Sequence, residues 1–177
     1  MKKIPNSGLG RLSAEEYAAA PKIPVVVILD NVRSMNNVGS FFRTCDAFSV
    51  ERILLCGITG TPPDREIHKT ALGAESTVSW KYYKETSDAV NDVMAEDYIP
   101  VAVEQVEGAV MLNDFKPVKD KKYALIFGNE VAGVAQEVVD MCSCAVEIPQ
   151  AGTKHSLNVS VSGGVVLWHF FESLALS

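Results

Sequence analysis

The chain has 177 residues, 47% hydrophobic and 21% charged, which gives one domain a full core and excludes a disordered chain. Its net charge of −6 excludes a chain-wide electrostatic grip on nucleic acid and leaves room only for local contacts. No apolar run approaches the roughly 18 residues of a bilayer span. The longest are Val25–Leu29 and Val165–Phe171, and the two lysines of Met1–Pro5 precede no export-signal core.

Taken in order, residues 1–22 read as an N-terminal arm. Gly8 and Gly10 loosen it, Ser13-Ala14-Glu15-Glu16 forms a capping box, and Pro21 stops the short helix that follows. Pro24–Asp30 is continuously apolar up to its last residue, which predicts a strand buried on both faces of a parallel sheet. A loop over Asn31–Asn37 leads to a helix, Val38–Phe48, with Phe41, Phe42, Cys45 and Phe48 inward. Arg43 and Asp46 stand three apart on it and can pair. Arg52–Cys56 is a second strand. Gly57–Gly73 reads as a long irregular segment, of the kind that is functional or mobile in a compact domain.

Thr77–Trp80 is a third strand, Thr86 or Ser87 caps the next helix, and Tyr98–Val103 is a fourth strand. Glu104 falls just past its carboxyl end, where open parallel sheets bind ligands, and so can border a cofactor. Ala109–Lys122 is a connector. Strand Tyr123–Phe127, helix Val134–Met141, strand Ala145–Ile148 and a final helix Ser156–Leu174 complete the chain. Alternating strands and helices define an α/β fold, a mostly parallel sheet with helices on both faces.

The chemistry concentrates in Ile148–Gly164, I-P-Q-A-G-T-K-H-S-L-N-V-S-V-S-G-G, a strand end that turns through a polar loop into a helix. Such corners present unpaired backbone N–H groups to a ligand, or simply pack tightly. Small residues in the first helical turns imply that a backbone or a ligand approaches closely. Ser156 and Asn158 can cap the helix or bond a ligand. The arginine and lysine groups, Arg65 and Lys69 among them, are more often a solvated face than a phosphate track. His68, His155 and His169 are scattered, and no metal-ligand cluster is evident. Four cysteines without a C-x-x-C pattern fit reduced thiols in a cytoplasm.

Three motifs occur in order: N-x-G-x-x-x-R at Asn37, Gly39 and Arg43; F-G-N-E-x-x-G-V at Phe127–Val134; and I-P-x-x-G-x-x-x-S-L-N-V-S at Ile148–Ser160. With them the chain from about Pro24 onward resembles the SpoU/TrmH-type RNA ribose 2′-O-methyltransferases of the SPOUT superfamily. The resemblance implies a C-terminal trefoil knot, catalysis by residues 23–177, S-adenosylmethionine as donor, and a homodimer acting on tRNA or rRNA, tRNA favoured. It implies cofactor contacts from Gly128, Asn129, Ile148 and Leu157. It implies catalytic-site roles for Arg43, Asn37, Glu130, Ser156 and Asn158. Arg43 is read as gripping an RNA phosphate and steering the hydroxyl, because a guanidinium is a poor proton acceptor. The alternative is a silent RNA- or nucleotide-binding module of the same fold.

Overall fold

Val25–Leu29 is apolar at every position, which demands cover on both faces, and all five side chains are fully buried. In the computed structural model, which describes residues 1–5 and 10–176, this run forms β1 (Ile23–Asp30) inside the sheet. Gly8, read above as loosening the arm, lies outside the described residues.

The described elements are α1 (Ala14–Ala19), β1, α2 (Met35–Ala47), β2 (Val50–Cys56), α3 (Arg65–Ala71), β3 (Ser79–Tyr83), α4 (Thr86–Ala95), β4 (Tyr98–Val103), β5 (Val110–Met111), β6 (Lys122–Phe127), α5 (Gln136–Val139), β7 (Cys144–Glu147) and α6 (Val159–Phe171), which runs on into a π-type turn at Glu172–Leu176. The strand order is β3-β2-β1-β6-β4-β7-β5, and every pairing is parallel. The order reverses beside β1, where β2 lies on one side and β6 on the other.

Alternation along each strand splits the core into two layers. Val25, Val27 and Leu29 pack with Phe41, Phe42, Ile53, Leu55, Ile67 and Phe170 under α2, α3 and α6. Val26 and Ile28 pack with Leu54, Val90, Val93 and Ile126 under α4 and α5. Tyr17 carries the capped helix α1 into the first layer.

Two helical glycines explain how closely these helices lie. A Cβ on Gly39 would meet the Thr70 hydroxyl and the Ile67 carbonyl of α3, and a Cβ on Gly163 would meet the Phe41 ring. The small residues of α6 therefore admit an aromatic side chain at this point. Phe41 in turn lies 5.0 Å from Phe127, centroid to centroid.

Several expected boundaries move, each for a local hydrogen-bonding reason. α2 starts at Met35 instead of Val38 because the Ser34 hydroxyl accepts the Asn37 N–H at 3.3 Å, which puts Asn37 inside the first turn. The segment expected to be irregular holds α3, whose start Asp64 caps by accepting from Glu66 N and Ile67 N at 2.8 and 3.0 Å. α5 is a single turn, because the Val134 and Ala135 N–H groups are taken by Glu104 and Asp30, at 2.8 and 2.9 Å. α6 starts at Val159, not Ser156, since Asn158 is its cap. The Thr86 hydroxyl donates to Asp30 at 2.6 Å instead of capping α4, and the expected connector contains β5. Asp46 accepts from Thr77 at 2.9 Å in place of the anticipated Arg43 pairing.

The apolar-run count also needs correcting. Val159–Leu176, with mean hydropathy 1.4 over 18 residues, is long and apolar enough by composition to cross a membrane, although its serines and glycines break the run in sequence. In the fold its Val166, Leu167 and Phe170 are buried against the sheet layer.

Phe41→Ala is expected to cost about 3–5 kcal/mol, read as a lowered urea midpoint, because the void lies between Gly163 and Phe127 where neither neighbour can collapse.

Candidate active site

Beyond the carboxyl ends of β4, β6 and β7 lies a cleft of about 480 Å³, within the range that holds a nucleoside-sized ligand. Val103, Phe127 and Val146 line its strand side, Gly128–Gly133 one flank and Ile148, Gln150 and Ser156–Val159 the other. Open parallel sheets bind ligands beyond the carboxyl ends of their strands, as here.

The flank 128–133 is a tight loop. Asn129 N donates to Gly133 O at 3.0 Å and Gly133 N returns the bond to Asn129 O at 2.9 Å. The Asn129 side chain accepts from Val131 N and Ala132 N and donates to Asn31 O at 2.8 Å. A Cβ on Gly128 would strike the Gly133–Val134 backbone, so its glycine is required by the loop's own fold, and Gly133 has φ +69. Glu104 holds this loop from behind, accepting from Val134 N at 2.8 Å and from Gln105 N at 2.9 Å. It borders the cleft as expected and also acts as a brace.

Glu130 turns away from the cleft floor towards α2. Its carboxylate accepts from Arg33 N and Ser34 N, both at 3.0 Å, and from Asn37 Nδ2 at 2.9 Å. Burial acts to raise its pKa, but those three donors outweigh it and hold the carboxyl below its ordinary value. A carboxylate at the start of α2 also suits the positive end of the helix.

Asn37 joins this flank to the other. It is buried, and its Oδ1 accepts from Asn158 Nδ2 at 3.1 Å and from Ser160 Oγ at 3.3 Å. Asn158 Oδ1 caps α6 through Ser160 N at 2.9 Å and Val161 N at 3.3 Å. Glu130, Asn37 and Asn158, one from each motif, thus form a single hydrogen-bonded line. The sequence-predicted Gly128, Asn129, Ile148, Ser156 and Leu157 all line the cleft, with the apolar side chain of Leu157 40% exposed in it.

Asn37 stands behind the flanks and not among the lining residues, and Arg43 lies farther off. Arg43 is exposed on α2, does not line the cleft, and has no ion pair among the described residues. Six residues separate it from Asn37, a rotation of about 240° and a rise of about 9 Å on a helix, so the two cannot share a face.

Sequence reasoning missed Asp30 and Ser160. Asp30, 1% exposed, bonds Thr86, Asn31 and Ala135 N and so fixes where the second-motif loop ends. Its signal was a carboxylate closing an otherwise apolar strand. His169 bonds the Phe115 carbonyl at 2.8 Å, consistent with a satisfied packing residue. Among the described residues no three His, Cys, Asp or Glu side chains converge.

A parallel sheet whose loop cleft is closed by these three motifs defines a class, the SpoU-type RNA methylases. The SpoU rRNA Methylase family pattern matches residues 24–168, and the chain belongs to that family. It is 30% identical over 159 residues to the tRNA (guanosine(18)-2′-O)-methyltransferase of Thermus thermophilus, covering 89% of this chain and 79% of the relative. It is 26% identical over 150 residues to the 23S rRNA (guanosine-2′-O-)-methyltransferase RlmB of Nitrosomonas europaea, covering 84% of this chain and 56% of that one. An AdoMet-bound rRNA methyltransferase structure from Sinorhizobium meliloti superposes with a TM-score of 0.78 at 28% identity, over 87% of this chain and 59% of that chain.

Asn37→Ala leaves Asn158 Nδ2 without its acceptor and the Ser160 hydroxyl with Asn158 Oδ1 alone, at 2.7 Å, and should weaken S-adenosylmethionine binding about tenfold by calorimetry while the fold persists. Glu130 supplies an acid-dependent contribution. Because its folded pKa is depressed, that contribution is complete above the ordinary 4.5 and disappears as pH falls through the folded value. Acid unfolding of Glu130→Gln should therefore differ from wild type near neutrality and converge with it at low pH.

Proposed function

We propose that this chain, an RNA 2′-O-methyltransferase by family, methylates a ribose hydroxyl of tRNA from S-adenosylmethionine bound in the cleft beyond β4, β6 and β7. The observation that carries this reading is the Glu130–Asn37–Asn158 line, which fixes both flanks of a cleft of suitable volume. The cleft fits the donor: its lining combines apolar Val103, Ile148 and exposed Leu157 with polar loop residues, suited to an adenosine, and the flank 128–133 is already folded against itself. When bound, S-adenosylmethionine supplies an electrophilic methyl group on sulfur.

The chain's own residues then hold and orient. Gly128, Asn129, Ile148 and Leu157, which line the cleft, would hold the adenosine part, and Ser156 and Asn158 beside them would meet the acceptor ribose. Glu130 is committed to three donors and keeps α2 in place rather than accepting the substrate proton. Arg43 holds an RNA phosphate and positions the ribose hydroxyl, whose proton passes to water as its oxygen takes the methyl group and S-adenosylhomocysteine leaves, a role that suits a permanently charged fork.

A homodimer is part of this proposal, since Arg43 lies outside the cleft of its own chain. Val161, Val165 and Trp168 form an exposed apolar stripe at i, i+4, i+7 on α6, a face suited to a second copy. The trefoil knot belongs to the same family reading, supported by the packing of α6 on α2 and by the contacts of Asn158 and Ser160 with Asn37. Division into an arm, 1–22, and a catalytic domain, 23–177, follows it, and free Cys45, Cys56, Cys142 and Cys144 suit a cytoplasmic enzyme. Preference for tRNA is supported by the 30% identity to the tRNA-modifying relative against 26% to the rRNA-modifying one.

Incubation with methyl-labelled S-adenosylmethionine and separated tRNA and rRNA tests the reading. Ribose-linked label is expected in tRNA, reduced about a hundredfold or more by Arg43→Ala with donor binding intact. Label confined to rRNA overturns the substrate preference, and tight donor binding without transfer to either RNA favours the silent binding module. Val165→Asp should convert a dimer to a monomer on light scattering and abolish transfer.

A further inference from the structure

A second cleft lies on the far side of the sheet order from the first. Trp80 and Tyr82, on edge strand β3, stay 37% and 45% exposed. Their register partners on β2, Ile53 and Leu55, face the layer of α2, α3 and α6, so both rings lie on that side of the sheet. Trp80 forms one wall of a shallow cleft of about 540 Å³, with Pro62, Pro63, Arg65, His68 and Ser76 around it. Tyr82 is fixed by its hydroxyl, which donates to the Gly57 carbonyl at 3.0 Å.

Trp80, Pro62 and Pro63 give the cleft ring-faced walls, and the two carboxylates that also line it, Asp64 and Glu75, are engaged within the chain. Asp64 caps α3, Glu66 pairs with Lys69 at 3.5 Å, and Glu75 takes His68 and the Gly73 N–H. Arg65 has no ion pair among the described residues. An indole beside an unpaired guanidinium is the combination that grips a single-stranded nucleotide, the ring stacking on a base and the cation meeting phosphate.

We propose that this cleft is a second nucleotide-binding site, in which Trp80 stacks on a base of the substrate RNA and Arg65 holds the adjoining phosphate. The site rests on the reading of the chain as an RNA methyltransferase. The segment bearing Pro62 and Pro63 follows the carboxyl end of β2, and with all strands parallel this is the side on which the first cleft opens. β3 and β6 are three strand spacings apart, about 14 Å. Trp80 itself sits mid-sheet, at the register of Ile53, so RNA with its reacting ribose beyond β6 crosses the ends of β1 and β2 and then turns down the sheet face past Pro62 and Pro63 to reach it. Stacking tolerates any base, so the site supplies grip rather than sequence identity. A chain of net charge −6 has particular use for a contact that does not depend on bulk charge.

Anisotropy titrations with fluorescently labelled tRNA and rRNA fragments, without methyl donor, test the site directly. Trp80→Ala should weaken binding of the RNA about tenfold or more, Arg65→Ala should weaken it with a shallower salt dependence, and Trp80→Phe should retain most of it. In turnover the KM for RNA should rise in Trp80→Ala while kcat and donor affinity hold. Wild-type failure to bind RNA, or Trp80→Ala and Arg65→Ala both binding within twofold of wild type, overturns the site. RNA binding lost with Trp80 in a chain that transfers no methyl keeps this site and defeats the proposed reaction. Methyl transfer with an unchanged KM in Trp80→Ala keeps the reaction and defeats this site.

Discussion

One buried amide holds the cleft together. Asn37 donates to Glu130 and accepts from Asn158 and Ser160, joining segments 93 and 121 residues away in the chain. An asparagine suits this place because it offers both a donor and an acceptor, and each is opposed here by the complementary group. The two cleft flanks leave different strands, β6 and β7, and bond the same side chain at the first turn of α2. Unpaired polar groups in such a place are costly, so the network's members depend on one another.

Around that amide, the loop after β6 is held at both ends. Asn129 closes it from within, while Glu104 and Asp30 take the Val134 and Ala135 N–H groups where it leaves for α5. These two carboxylates end β4 and β1, or follow at once, so the sheet register itself sets the loop's exit. The cleft is therefore rigid on the side assigned to adenosine, as a site that aligns donor and acceptor requires.

Local chemistry made the buried inner strands easy to read and the polar network hard, while the exposed edge strands escaped it: β3 spans Ser79–Tyr83 where Thr77–Trp80 was expected, and β5 lies inside the expected connector. β4 has the expected bounds because Tyr98–Val103 is apolar between Asp97, at φ +67, and Glu104. Asn37 looked like a loop residue because its partners are far off in sequence, and only the Ser34 cap, three residues earlier, signals a helix start. Gly163 was legible as a point of close approach, but nothing nearby in sequence names the Phe41 ring as its neighbour. The third motif's Ser156 and Asn158 do line the cleft, while the helix expected from Ser156 starts three residues later at Val159. Arg43 came from a motif that says nothing about the angle between positions six apart on a helix.

That angle has a consequence for the assembled enzyme. α2 begins as part of one cleft, through Ser34 and Asn37, and carries Arg43 outward about two turns later. In the proposed dimer each α2 is then a stiff rod with its base in one reaction centre and its guanidinium addressed to the other. The same hydrogen bonds to Glu130 that seat the base of the rod thereby set where the guanidinium stands at its far end.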